Sequence, residues 1–149
     1  MFETFHQSGA PLDFDALVPI PLSPDKIASK EIHRTKLLAD ELGKLSSVPV
    51  VELFQLNSPI SKRRLLSRGY TYAQFQQRYK NALEVSDDVE GLNTILLIDD
   101  VSTHGGTIKA ACEALWERNQ NLAISVATAT QMIVKKAVLD EGAIRSVNC

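Results

Sequence analysis

The chain has 149 residues, 44% of them apolar, and a formal net charge of −2. That is enough for one domain that buries about 68–70% of its unfolded surface. The near-neutral, mixed charge carries no strong nucleic-acid signature. No apolar stretch is long enough to span a bilayer, and Met1–His6 does not read as a signal peptide, so a reduced, cytoplasmic protein is expected.

In chain order, Ala16–Ile20 reads as a short first strand that runs into a turn rich in proline (Pro19, Pro21, Pro24). Ser23 is placed to cap a helix with Pro24 at its first position. This helix is expected to reach about Leu45, with Ile27, Leu37, Leu38, Leu42 and Leu45 on its apolar face. Val48–Leu56 carries a second strand signal, with Pro49 at its start. Asn57–Tyr70 has no clear period and holds Lys62, Arg63, Arg64 and Arg68, which predicts a mobile basic loop. Thr71 and Gln74 have capping-box spacing for a helix through about Leu83.

The next segment is the most informative. Ile95, Leu96, Leu97 and Ile98 form a continuous apolar run, the pattern of a strand buried on both faces of a parallel sheet. Asp99 and Asp100 follow where that strand should end, the edge at which open α/β sheets bind ligands. Thr103, His104, Gly105, Gly106 and Thr107 then lead into a helix, Ile108–Arg118. Carboxylates suit ribose hydroxyls, and free amides with a helix dipole suit a phosphate. A receiver domain also ends a strand in an acidic pair, but normally near its start and without such a loop. Neither the Walker pattern nor the dinucleotide glycine pattern occurs.

Leu122–Thr130 is a last strong strand, and the tail from Gln131 is expected to add one helix. Cys112 and Trp116 read as core residues; Cys112 and Cys149 cannot make a Cys-x-x-Cys metal site. His6 and His33 have no ligands at metal spacing, and Arg34 reads as a surface residue. Alternating strands and helices predict a single α/β domain over residues 1–149, three-layered, with a central mostly parallel sheet of four or five strands.

The run from Ile95 to Thr107 resembles the phosphoribosyl-diphosphate (PRPP) motif of type I phosphoribosyltransferases. Val18–Pro24 is similar to the Pro-Val-Pro-Leu segment of the competence-associated ComF/GntX branch. Lys30–Leu42 looks like its Arg-Gly-Phe-Asn-Gln segment, with Lys30-Glu31 in place of Arg-Gly, and Arg78–Asn81 like its Arg-x-x-Asn helix. The four-Cys zinc ribbon of ComF proteins has no counterpart within these 149 residues.

The resemblance implies a type I phosphoribosyltransferase fold with a minimal hood, drawn from residues up to Asp15 and after Thr130. It implies that Asp99 and Asp100 take the ribose hydroxyls. Val101, Ser102, Thr103, His104, Gly105, Gly106 and Thr107 would cradle the 5′-phosphate. His104 stands where the family usually has a small hydroxyl residue. Pro21, Leu22 and Ser23 would form the diphosphate loop. The stretch Asn57–Tyr70 would be the lid, with Lys62, Arg63, Arg64 and Arg68 as its catalytic cations. Mg²⁺, held mainly by substrate, is the expected cofactor. PRPP and a small-molecule acceptor, a nitrogen base of unassigned identity, are the expected substrates; a second copy of the chain and another protein are the expected partners. The implied activity is release of pyrophosphate from PRPP with transfer of ribose 5-phosphate. The alternative is a non-catalytic PRPP- or nucleotide-sensing module tied to DNA uptake or processing.

Overall fold

The computed structural model describes residues 13–100, 105–129, 135–140 and 143–148, the last two stretches through their backbone. Three parallel strands form its centre: β1 (Ala16–Pro19), β4 (Thr94–Asp99) and β5 (Ala123–Thr128). β4 lies between the other two, with Ala16 opposite Ile95 and Asp99 opposite Thr128. Every residue of β1 is buried, as are the last five of β4. The apolar run is explained by cover on both faces. Ile95 and Leu97, with Ala16 and Val18, face Ala111, Cys112 and Leu115 of α5 (Gly106–Arg118). Leu17, Leu96 and Ile98 face Ala39 and Leu42 of α2 (Arg34–Ser46). The result is a three-layer α/β arrangement consistent with a phosphoribosyltransferase-type fold. Each fully buried Leu or Ile contributes roughly 1.5–3 kcal/mol.

Several expectations need correction. The helix from Pro24 is broken into α1 (Pro24–Ala28) and α2. Lys30, in the left-handed region at φ 56°, makes the break, and the Glu31 amide donates to the Lys26 carbonyl at 3.0 Å. This is a Schellman-type end with lysine where glycine is usual. In α2, Thr35, Ala39 and Leu42 form the buried stripe and Leu37 and Leu45 are exposed, as is Ile27 of α1.

The strand expected over Val48–Leu56 shrinks to β2 (Phe54–Leu56), preceded by an isolated parallel bridge from Val50 to Leu17. β2 leaves the main sheet and pairs antiparallel with β3 (Leu83–Val85), which follows directly from a helix. That helix, α4 (Tyr72–Ala82), stops one residue short of expectation and has its capping box. The Thr71 amide donates to Gln74 Oε1 at 2.8 Å, and the Gln74 amide to Thr71 Oγ1 at 3.2 Å.

The basic segment is not a loop throughout. It contains α3 (Lys62–Ser67), whose Arg64 amide is capped by Ser61 Oγ. Leu65 and Ile60 pack beside Phe75 and Tyr79, which gives this short turn its anchor. The tail is strand rather than helix: β6 (Lys135–Asp140) pairs antiparallel with β5, and β7 (Ala143–Asn148) with β6. The sheet order is therefore β1-β4-β5-β6-β7, and the hairpin covers what would otherwise be an open edge of β5. Trp116 and Cys112 are core residues, and Trp116 Nε1 donates to the Leu122 carbonyl at 2.8 Å.

Candidate functional site

Parallel pairing brings the C-terminal ends of β1 and β4 together. Pro19 lies opposite Ile98, and the Ile20 amide donates to the Ile98 carbonyl at 2.9 Å. The turn Pro21-Leu22-Ser23 thus sits beside Asp99 and Asp100, and both line a cleft of about 620 Å³. Asp99 is buried, and its Oδ1 accepts the Asp100 amide at 2.8 Å; Asp100 is half-buried. Ser23 Oγ donates to the Asp25 carboxylate, and this bond, ahead of the others, holds that carboxyl below its ordinary range.

The other end of the cleft is built on α5. Gly105, at φ 68°, caps the helix in a conformation that disfavours any residue with a Cβ. The amides of the first helical turn lack intrahelical partners by geometry, and Thr107 lines the cleft. Val101, Ser102, Thr103 and His104 lie outside the described residues.

Four cations line the same cleft: Lys26, Arg34, Lys62 and Arg63. Lys62 Nζ also lies 5.3 Å from the centre of the Tyr72 ring. Arg64 and Arg68, expected with them, are exposed on α3 and its end and are absent from the cleft lining. Arg34 replaces them for a reason the sequence hides. Thr35 Oγ1 donates to the Ile20 carbonyl at 2.7 Å, and His33 Nε2 lies 3.1 Å from the same oxygen. These contacts pin the start of α2 to the end of β1, which carries Arg34 to the mouth of the cleft. Phe75 and Tyr79 of α4 close the inner wall, another contribution that sequence reading missed.

Among the described residues, no three His, Cys, Asp or Glu side chains cluster as a metal cage. Two adjacent carboxylates at a cleft fit Mg²⁺ better than a transition metal, since Mg²⁺ takes substrate oxygens and water. A second cleft, of about 1080 Å³, shares Pro21, Leu22, Glu31, His33 and Leu56 with the first. Its charged lining is Glu31, Glu52 and Glu84, with no lysine or arginine, so it does not suit a phosphate. No helix among the described residues is long and apolar enough to cross a membrane.

No family model matches the chain. It is 32% identical over 109 residues to the competence protein ComFC of Bacillus subtilis (strain 168). The match covers 73% of this chain but 41% of that protein, so the chain spans about two fifths of the length of its relative. Strand order, the acidic pair at the sheet edge and this similarity agree: the chain resembles a ComF protein over most of its length, and its fold is consistent with the phosphoribosyltransferase type.

Proposed function

We propose that the protein binds PRPP with Mg²⁺ and transfers its ribose 5-phosphate to a nitrogen acceptor, releasing pyrophosphate. The observation that carries this reading is the cleft itself: Asp99 and Asp100 at the floor, Thr107 at the start of α5, Pro21-Leu22-Ser23 beside them, and Lys62 and Arg63 at the rim. In this reading the carboxylates accept the ribose hydroxyls, and the first-turn amides of α5 hold the 5′-phosphate. Bond breaking at C1 leaves positive charge on the ribose and negative charge on the departing diphosphate. Lys62, Arg63 and Arg34 meet the second charge, and the contact strengthens as that charge develops. Mg²⁺, carried mainly by the substrate beside Asp99 and Asp100, would supply Lewis-acid neutralisation of the diphosphate charge.

A second reading, a non-catalytic PRPP-binding module acting in competence through a partner protein, is favoured by one specific observation. Arg64 and Arg68 stand away from the cleft, so two of the four cations expected on the lid do not face the diphosphate side. Isotope-labelled PRPP with Mg²⁺ and a panel of nitrogen bases separates the two. Pyrophosphate release above the acceptor-free rate supports transfer; binding by calorimetry without release from any acceptor supports the module. No binding at all refutes both.

A further inference from the structure

One buried side-chain polar atom among the described residues has no hydrogen-bond partner, the Tyr79 hydroxyl. Tyr79 is 5% exposed and lies on the inner face of α4, with its ring centre 5.8 Å from that of Phe75. It packs in one cluster with Ala82 and with Ala110 of α5, and lines the cleft that contains Asp99 and Asp100. Packing alone does not account for a tyrosine here. Phenylalanine would fill the same space without leaving a buried donor unsatisfied, and such unsatisfied groups call for an explanation in function. Burial, and after it the nearby Asp99 carboxylate, pushes the phenol above its ordinary range. It therefore stays protonated at neutral pH and has a hydrogen to donate.

We propose that Tyr79 is a positioning residue for Asp99, its O–H closing onto the Asp99 carboxylate when a ribose diol occupies the cleft. The inference rests on the reading above, in which Asp99 receives ribose hydroxyls. An ionised carboxylate offers about four acceptor sites. The Asp100 amide uses one, on Oδ1. A ligand hydroxyl takes another from the open side, and a donor from the protein side then fixes the plane of the carboxylate. Such a bond is charge-assisted and gains strength as the ligand displaces water. It forms in the loaded state, so its free energy goes to binding rather than to folding.

The test is Tyr79→Phe in the full chain. Calorimetry with Mg²⁺ and PRPP is run beside the ligand-free thermal midpoint and the near-ultraviolet difference spectrum on adding PRPP. We expect the ligand-free midpoint to hold or rise, affinity to fall about tenfold, and the tyrosine difference signal of the wild type to shrink. Once Asp99→Asn is present, Tyr79→Phe should cost little further affinity. Equal affinity in wild type and Tyr79→Phe overturns the inference and leaves the PRPP reading intact. A marked fall in the ligand-free midpoint also overturns it, because the hydroxyl would then be structural. Failure of the wild type to bind PRPP brings down the reading of the cleft, and this inference with it.

Discussion

The floor and the outer wall of the cleft are built in opposite ways. Asp99 ends a strand whose last five residues are buried, held on both sides by parallel neighbours and covered above and below by helices. Lys62 and Arg63 stand on α3, a six-residue helix without a buried residue, held to the body through half-buried Leu65 and its neighbour Ile60. The floor can therefore present its carboxylates with little loss of freedom on binding, whereas the wall must be ordered each time. Regions with few buried contacts open at low cost, and moving parts of sites are drawn from them. Binding should depend mostly on the floor, and any turnover on the wall.

The largest expected effect is at the floor. Asp99→Asn with Asp100→Asn should weaken Mg²⁺–PRPP binding by at least about 100-fold, since hydrogen bonds to charged groups contribute roughly 1.5–3 kcal/mol each. The thermal midpoint should stay the same or rise, because adjacent carboxylates repel one another without a ligand. Calorimetry and a melting curve on the same sample read both quantities. A clear loss of stability with unchanged affinity would make the pair structural and would erase the contrast with the wall.

At the wall, Arg63 and Arg64 are sequence neighbours with different surroundings: Arg63 lines the cleft and Arg64 does not. Arg63→Ala should lower pyrophosphate release about tenfold and PRPP affinity much less, the pattern of a contact that strengthens in the transition state. Arg64→Ala should leave both unchanged. Equal losses from the two substitutions would mean that charge near the cleft matters and position does not.

The two regions also differ in how much of them the sequence discloses. Ile95–Ile98 is a continuous apolar run ending in two carboxylates, so strand, burial and the place of the acidic pair at the sheet edge could be read together. The Thr71–Gln74 box was legible for the same reason, since its chemistry is local. The wall is assembled from contacts distant in sequence. Nothing in the sequence of α2 shows that Thr35 will bond the Ile20 carbonyl, and so nothing shows that Arg34 will reach the cleft. The same holds for Tyr79, whose role depends on which face of α4 meets α5. The break at Lys30 was hidden because neither glycine nor proline marks it. β3 was hidden because its three residues continue a good helix, and strand pairing with β2 overrides that local preference.

That break offers a smaller test of how independent the wall is of the floor. Lys30 holds a left-handed conformation that costs an L-residue roughly 1–2 kcal/mol. Lys30→Gly should relieve part of this and raise stability by about 0.5–1 kcal/mol in denaturant unfolding. PRPP affinity should be unaffected, because Lys30 is exposed and absent from the cleft lining. A change in affinity would show that α1 and α2 transmit strain to the site.

The smallest effect belongs to the far end of the same two strands. Asp15 precedes β1, and its carboxylate accepts the amides of Asn93 at 2.7 Å and Thr94 at 3.0 Å, just as β4 begins. The bond from the Asn93 amide, then that from Thr94, holds this carboxyl below its ordinary value of 3.8. A depressed folded-state pKa means that the unfolded chain takes up its proton first as the solution is acidified. The stabilisation from Asp15 is therefore fully present above about pH 4–5 and is lost as pH falls through the folded-state value. Asp15→Asn should lower the thermal midpoint slightly at neutral pH, and the gap to wild type should close in acid. Because Asp15 is exposed and at the opposite strand ends from Asp99, PRPP affinity at neutral pH should not change. A gap that persists at pH 2 would place the effect in the neutral contact of residue 15 rather than in its charge. A loss of PRPP affinity would mean that register set at one end of β1 and β4 governs the geometry of the acidic pair at the other.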